Sequence, residues 1–464
     1  MEKSDRTGSR PGPIVDSAEP LFNEAIKMKK ILSLLVFAAF ASINPCVASA
    51  DPPVAPFYAS VMKMSPTGRL GEVLKKEQIK TSVKGAQAWK IAYISSDVSG
   101  KKTIVTGLVV APVGPAPKEG RPIISWAHGT TGGAQNCGPS QVLDPVVALN
   151  EYFLIGGNSW TDYGIPSVEE FIKEGYVVVA TDYQGQGGGG KHQYALAATN
   201  TMDTVDIARA ASSMKETGAG KKTLIYGWSQ GGGVALAAAS MPDYFAKQGT
   251  VADNLQLVGA VALAPYDVAI MMPGATADQA SAQKSLTGII QMFSGNVFDF
   301  SHMAMSFWGA QAANPKLKLT DIFTERGAKV LDEVIGNKCM HAFADTLNYN
   351  FGTEYKSLLN PQPSNALEWT QTMVKASVNP VKPTVPVVIY WGNKDVTNPP
   401  IMGKLYQEQM CKLGGNIERI QLPGDQTHYT TPGSSKPLYL PWIKDRLTGK
   451  PATNNCEQAS QLPS

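Results

Sequence analysis

The five residues Gly227-Trp228-Ser229-Gln230-Gly231 set a serine hydroxyl between two glycines, where an apolar run, "TLIYG", gives way to an alanine-rich one, "GGGVALAAAS". A serine hydroxyl is a poor nucleophile at neutral pH, and it attacks an acyl carbon only with help from a base, usually a histidine that a carboxylate orients. The order strand, G-x-S-x-G, helix predicts a sharp turn that exposes Ser229 at the C-terminal edge of a sheet. Glycine at the flanks lets the backbone reach φ > 0 and lets the helix pack close. After such an elbow the acid and then the base follow in the chain. Of the five histidines, that order removes His128 and His192. His302 and His341 lie in a segment with no strand end to fix them, which leaves His428, in "LPGDQTHYTTP", as the expected base. The expected acid is Asp395, in "VVIYWGNKDVTNPP", on the loop after the preceding apolar run. Asp425 is its rival, but three residues upstream of His428 on one short loop it is badly placed to reach the ring's Nδ1.

Acyl transfer also needs donors for the oxyanion. The backbone N–H of Gln230, next after the nucleophile, is one. Gly129 or Thr130, in "WAHGTTGG" after the first parallel strand, supplies the other, and His128 shapes that loop. Trp228, Phe298 and Phe307 are the expected substrate-contacting side chains. No metal or other cofactor is called for, since the sequence has no H-E-x-x-H and no His and Asp at ligand spacing. A second glycine cluster, "GQGGGGKH" from Gly185 to His192, invites a phosphate-loop reading. That loop requires a hydroxyl where His192 stands and a helix directly after it, whereas the next helical pattern starts near Thr201. It reads instead as a connector beside the active site, its ends tied down by Asp182 and His192.

These residues need a scaffold that brings strand ends together. Two β-type runs, "WKIAYISSD" and "KKTIVTGLVVAP", flank Val98-Ser99-Gly100 as an antiparallel hairpin. After them "RPIISWAHG", "YVVVATDY", "KTLIYGWS", "LVGAVALAPYD", "VPVVIYWGN" and "IERIQLPGD" are continuous apolar runs, as expected of strands buried on both faces of a mostly parallel sheet. Helical patterns such as "TVDIARAASSMKE", "PIMGKLYQEQMCKLGG" and "YLPWIKDRLTG" separate most of them, giving an α/β fold. From 268 to 381 the alternation stops. That stretch is too long for a loop and predicts a mainly helical cap, between core segments 51–267 and 382–464. Its run Met292, Phe293, Phe298, Phe300, Met303, Met305, Phe307, Trp308 either packs as the cap's own core or lines an acyl tunnel.

The first 50 residues read as a leader. Met28-Lys29-Lys30, "ILSLLVFAAFASI" and "VASA" have the three parts of a secretory signal, with cleavage after Ala50. The apolar core is too short for a permanent membrane anchor, and "INP" before Cys46 does not suit lipid attachment. A net charge of +3, evenly spread, gives no reason to expect a nucleic-acid partner. The four cysteines that remain lack a C-x-x-C spacing. In an exported chain they predict two disulfides, Cys137–Cys339 and Cys411–Cys456, the first clamping the oxyanion loop to the cap and the second stapling the C-terminal region.

Taken in order, "ISWAHGTTGGAQNCGPS", "VVVATDYQGQGGGGKHQY" and "YGWSQGGGVALAAA", before a large insertion, resemble the secretory lipase family, the fungal lipase A-like group with bacterial relatives. The resemblance spans most of the chain after the leader. It implies an α/β-hydrolase fold with a helical lid, lipase or esterase activity, and a triad of Ser229, Asp395 and His428. The family usually has "DYxGLG" where this chain has "DYQGQGGGGKH", a departure at the pocket rim. The expectation is a secreted or periplasmic serine ester hydrolase, a monomer, acting on small or lipid esters with an apolar acyl part, including at a lipid–water interface. Its rivals are a serine peptidase of the same fold and a non-catalytic binding protein on a hydrolase scaffold. No propeller-like strand series supports the first, and the intact triad argues against the second.

Overall fold

Nine strands, among the described residues, form one sheet in the order β1 (Val73–Ile79), β2 (Ala86–Ser96), β3 (Lys102–Pro112), β5 (Val177–Thr181), β4 (Arg121–Ala127), β6 (Ala219–Trp228), β7 (Gln256–Leu263), β8 (Val387–Trp391), β9 (Ile417–Gln421). The computed structural model describes residues 54–142, 144–147, 164–377 and 381–461. The expected leader, its cleavage after Ala50 and Cys46 lie outside them. Strands β2 (Ala86–Ser96) and β3 (Lys102–Pro112) pair as the antiparallel hairpin that the two β-type runs around Val98-Ser99-Gly100 predict. From β5 (Val177–Thr181) through β4 (Arg121–Ala127), β6 (Ala219–Trp228), β7 (Gln256–Leu263), β8 (Val387–Trp391) and β9 (Ile417–Gln421) every pairing is parallel. The interior strands β5 and β8 are buried at every position, which explains their unbroken Val, Ile and aromatic composition.

Strand β1 (Val73–Ile79, "VLKKEQI") escaped the sequence reading. It pairs with β2 alone, at the sheet's edge, and its Lys76, Glu77 and Gln78 are exposed to solvent, where their polar side chains keep the edge from pairing with another chain. Two helices also begin earlier than their patterns suggest. The helix Ala197–Ser213 starts one turn before Thr201, and the helix Thr431–Leu447 runs through Pro437 and Pro441.

Apolar clusters fill both faces of the sheet. One joins it to the helices Ala197–Ser213, Gln230–Ala239 and Ile401–Lys412; the other joins it to Val168–Lys173 and Thr431–Leu447. A third cluster is separate. It centres on five helices between β7 and β8, Gln279–Met292, Val297–Ala313, Glu325–Asn337, Met340–Phe351 and Ala366–Lys375, around Phe300, Met303, Phe307, Phe343 and Trp369, with Tyr194, Leu196 and Met402 joining it from outside them. Two disulfides are present among the described residues, Cys137–Cys339 across 202 residues and Cys411–Cys456 across 45. The first ties the loop after β4 to the start of the helix Met340–Phe351, and the second ties the helix Ile401–Lys412 to the C-terminal turn.

Candidate active site

Ser229 sits between the end of β6 and the helix Gln230–Ala239 with φ 59° and ψ −119°, a region non-glycine residues avoid at a cost of about 1–3 kcal/mol. The fold holds it there from three sides. Its N–H donates to the Leu263 carbonyl at 2.9 Å, and its own carbonyl accepts from Tyr266 N at 2.9 Å and Gly233 N at 3.2 Å. The flanking glycines are needed for close approach. A β-carbon on Gly227 would fall 2.1 Å from the Gly231 carbonyl oxygen, and one on Gly231 would fall 1.8 Å from that of Ala127. The expectation that Ser229 is exposed needs correction, because the residue is only 5% exposed. It does stand at the sheet edge, but Phe298, His302, Met340 and His341 from the helices beyond β7 close the space above it.

Asp395 and His428, which follow β8 and β9, converge at this edge. His428 Nδ1 lies 2.8 Å from Asp395 Oδ2, with both side chains buried. The second carboxylate oxygen of Asp395 accepts from the backbone N–H groups of Thr397 at 3.0 Å and Asn398 at 2.8 Å, which fixes its plane. Asp425 is turned away and accepts from Asn393 Nδ2 at 2.8 Å. Trp228 holds the histidine loop from below. Its indole N–H donates to the His428 carbonyl at 3.1 Å, and its ring packs 4.9 Å from the imidazole. Ser229 and His428 line one small cavity, of about 20 Å³. Among the described residues the hydrogen-bond partner of Ser229 Oγ is Asn398 Nδ2, at 3.3 Å. Sequence reading missed Asn398. Its only signal is a position three residues after Asp395.

The loop after β4 meets Ser229 from the other side. A β-carbon on Gly129 would lie 2.6 Å from the Trp228 ring and 3.4 Å from Ser229 Cβ, so glycine is required for the backbone to pass this close. Thr130 lines the cavity, and its hydroxyl pairs with Tyr194 Oη at 2.7 Å. His128 Nδ1 bonds the Gly129 carbonyl at 2.6 Å, and burial pulls its pKa down to about 4. His128 therefore stays neutral and braces the loop. Gln230 is anchored through its side chain, which donates to Asn200 Oδ1 at 3.1 Å and approaches His192 Nε2 at 3.4 Å. His192 Nδ1 in turn bonds the Gln184 carbonyl at 2.8 Å, and burial lowers the pKa of this ring to about 3.

The glycine connector Gly185–Gly190 is thus built into the site's support. The backbone N–H groups of Gly187 and Gly189 are taken by Gln135 Oε1, at 3.1 and 3.0 Å. At its start Asp182 accepts from Ser140 N at 2.8 Å and Thr106 Oγ1 at 2.7 Å. Of the other expected contacts, Phe298 lines the cavity but Phe307 does not. Phe307 is fully buried, edge-on to Phe323 and Trp369, in the core of the helical layer. His302 also reaches the cavity, although its place in the chain gave no sign of it. Its Nδ1 bonds the Phe298 carbonyl at 2.9 Å, and burial lowers its pKa to about 4. Among the described residues no three His, Cys, Asp or Glu side chains group as a metal site would require.

A mostly parallel sheet with helices on both faces and a serine on a strand-to-helix elbow defines the α/β-hydrolase fold. Solved structures agree in fold. Candida antarctica lipase A superposes with a TM-score of 0.64 at 17% identity, covering 87% of each chain. The rice cell wall degrading esterase LipA of Xanthomonas oryzae gives 0.60 at 17%, covering 83% of this chain and 100% of its own. Within that class, the family model for secretory lipases matches residues 158–455, and the chain belongs to that family. It is a hydrolase of the lipase and carboxylesterase type. Lipase 9 of Candida albicans is 23% identical over 88% of this chain and 85% of its own, and a secreted triacylglycerol lipase of Malassezia globosa is 24% identical over 84% and 80%. No helix among the described residues is long and apolar enough to cross a membrane.

Proposed function

We propose that the chain is an exported serine ester hydrolase that works through an acyl-enzyme on Ser229. The observation that supports this most strongly is the buried 2.8 Å contact from His428 Nδ1 to Asp395 Oδ2, beside a serine held at φ 59°. With Nδ1 committed to the carboxylate, Nε2 carries the lone pair and takes the Ser229 proton. Oγ bonds to the ester carbon and the carbonyl electrons move onto oxygen. That oxyanion rests on the Gln230 N–H and on an N–H of Gly129 or Thr130. His428 then protonates the leaving alcohol, and water releases the acyl group by the same steps.

The substrates are carboxylic esters with an apolar acyl part. Triacylglycerols are the first to test, since a relative is named for them. Residues 268–381 act as a cap on the core segments 51–267 and 382–464. A cavity of about 20 Å³ has no room for an acyl chain, so the helices carrying Phe298 and Met340 must shift to admit one. The leader directs export and is removed after Ala50. Ser229→Ala, assayed with p-nitrophenyl esters and labelled with a fluorophosphonate, tests the core of the reading. Loss of several powers of ten in kcat and of all labelling is expected, and retention of more than about a tenth of the activity would end it. A series of esters from acetyl to decanoyl then separates lipase from general esterase.

A further inference from the structure

One polar contact reaches the reacting oxygen from outside the triad. Asn398 Nδ2 lies 3.3 Å from Ser229 Oγ and 2.8 Å from the Ala264 carbonyl, while the Asn398 backbone N–H donates to Asp395 Oδ1 at 2.8 Å. The residue is buried, 4% exposed. A carbonyl only accepts, so the Ala264 oxygen fixes which end of the amide is the NH₂. Asn398 therefore donates to Oγ, and the hydroxyl's own proton remains available to His428.

The geometry points to Asn398 as a catalytic hydrogen-bond donor that speeds release of the acyl group from Ser229. This rests on the acyl-enzyme reading above. In release, a water proton passes to His428 Nε2, the water oxygen bonds to the acyl carbon, and the carbonyl electron pair moves onto its oxygen. That pair then re-forms the carbonyl. The C–Oγ bond breaks with its electrons going to Oγ, which takes the proton back from His428. In the acyl-enzyme Oγ is an ester oxygen whose lone pair is delocalised into the carbonyl, so it accepts weakly. As the bond breaks it gains negative charge and accepts strongly. The Asn398 bond is thus stronger in the transition state for release than in the acyl-enzyme, which is the condition for rate acceleration. In the forward transfer the same bond is already made to the free hydroxyl, so less is gained.

The two halves can be timed separately with p-nitrophenyl dimethylcarbamate. The p-nitrophenolate formed reads transfer to Ser229, and the return of esterase activity after excess reagent is removed reads release. For Asn398→Ala, release should slow roughly three- to tenfold, the worth of one neutral hydrogen bond, while transfer stays within about twofold. With p-nitrophenyl butyrate, kcat and KM should fall together wherever release limits turnover. Asn398→Leu, nearer in volume, repeats the test, with thermal unfolding as the check on folding. Equal slowing of both halves, no change in either, or failure of both variants to fold would overturn the role. A wild-type enzyme that takes no label, or a Ser229→Ala variant that does, would instead overturn the acyl-enzyme itself.

Discussion

Removing Cys137–Cys339 should cost activity as well as stability, whereas removing Cys411–Cys456 should cost stability alone. The first crosslink closes a loop of 202 residues and the second one of 45. The loss of chain entropy in the unfolded state makes them worth up to about 5 and about 4 kcal/mol. For the roughly 410 residues that follow the proposed leader, unfolding at about 2.1 cal/mol/K per residue, those energies correspond to about 6 and about 5 °C in Tm. The stability effects are therefore nearly equal, and function separates the two. Beside Cys137–Cys339, Met340 N donates to the Thr131 carbonyl at 2.9 Å, and Gly132 and Cys339 face each other as an antiparallel bridge. This short strip fastens the proposed oxyanion loop to the helical layer. Loosening it by about 1 Å should lower kcat by one to two powers of ten. The assay compares the two double Cys→Ser variants, with kcat on p-nitrophenyl butyrate at 25 °C and Tm by calorimetry. Full kcat in the Cys137/Cys339 variant, or an equal loss of kcat in both variants, would refute the reasoning.

Phe307→Ala should destabilise the protein by about 3–5 kcal/mol, because it opens a hole between Phe323 and Trp369, while Phe298→Ala should leave Tm nearly unchanged and shift the preferred acyl length. Equal melting losses with no shift in the chain-length profile would reject that division. Burial raises Asp203 to about 8, above the unfolded carboxylate value of about 3.9, so the stability it contributes is fully present below about pH 4 and is lost as pH rises through 8. Asp203→Asn should therefore raise Tm more at pH 9 than at pH 4, and identical shifts at the two pH values would rule this out. Buried His128 and His192 have the opposite sign: with folded values near 4 and 3, stability present above about pH 6.5 is lost as pH falls toward those values. His192→Phe should flatten the acid side of the Tm profile, and an unchanged slope there would count against it.

Local features of the chain carried most of the architecture. The runs that became β5, β7 and β8 are apolar at nearly every position because both faces of those strands are largely covered, and such burial leaves its mark within each segment. The elbow is equally local, since glycine on both sides of a serine after a strand reflects backbone sterics within five residues. Asp395 and His428 were expected at one sheet edge from their places after β8 and β9, because parallel strands deliver their following loops to one edge, and the two side chains do meet there at 2.8 Å. Other features were decided only by packing between distant segments. Strand β1 is legible only as an edge, which depends on having a single neighbour. Ser229 is covered, not exposed, because helices roughly 70 to 110 residues further along fold back over it. Phe298 and Phe307 differ by nine positions on one helix and look alike in sequence, yet the helix's rotation sends one to the cavity and the other into the core. Asn398 meets Ser229 across 169 residues of chain. A hydrogen bond between side chains on separate loops has no periodicity and no composition, so only the tertiary structure can place it.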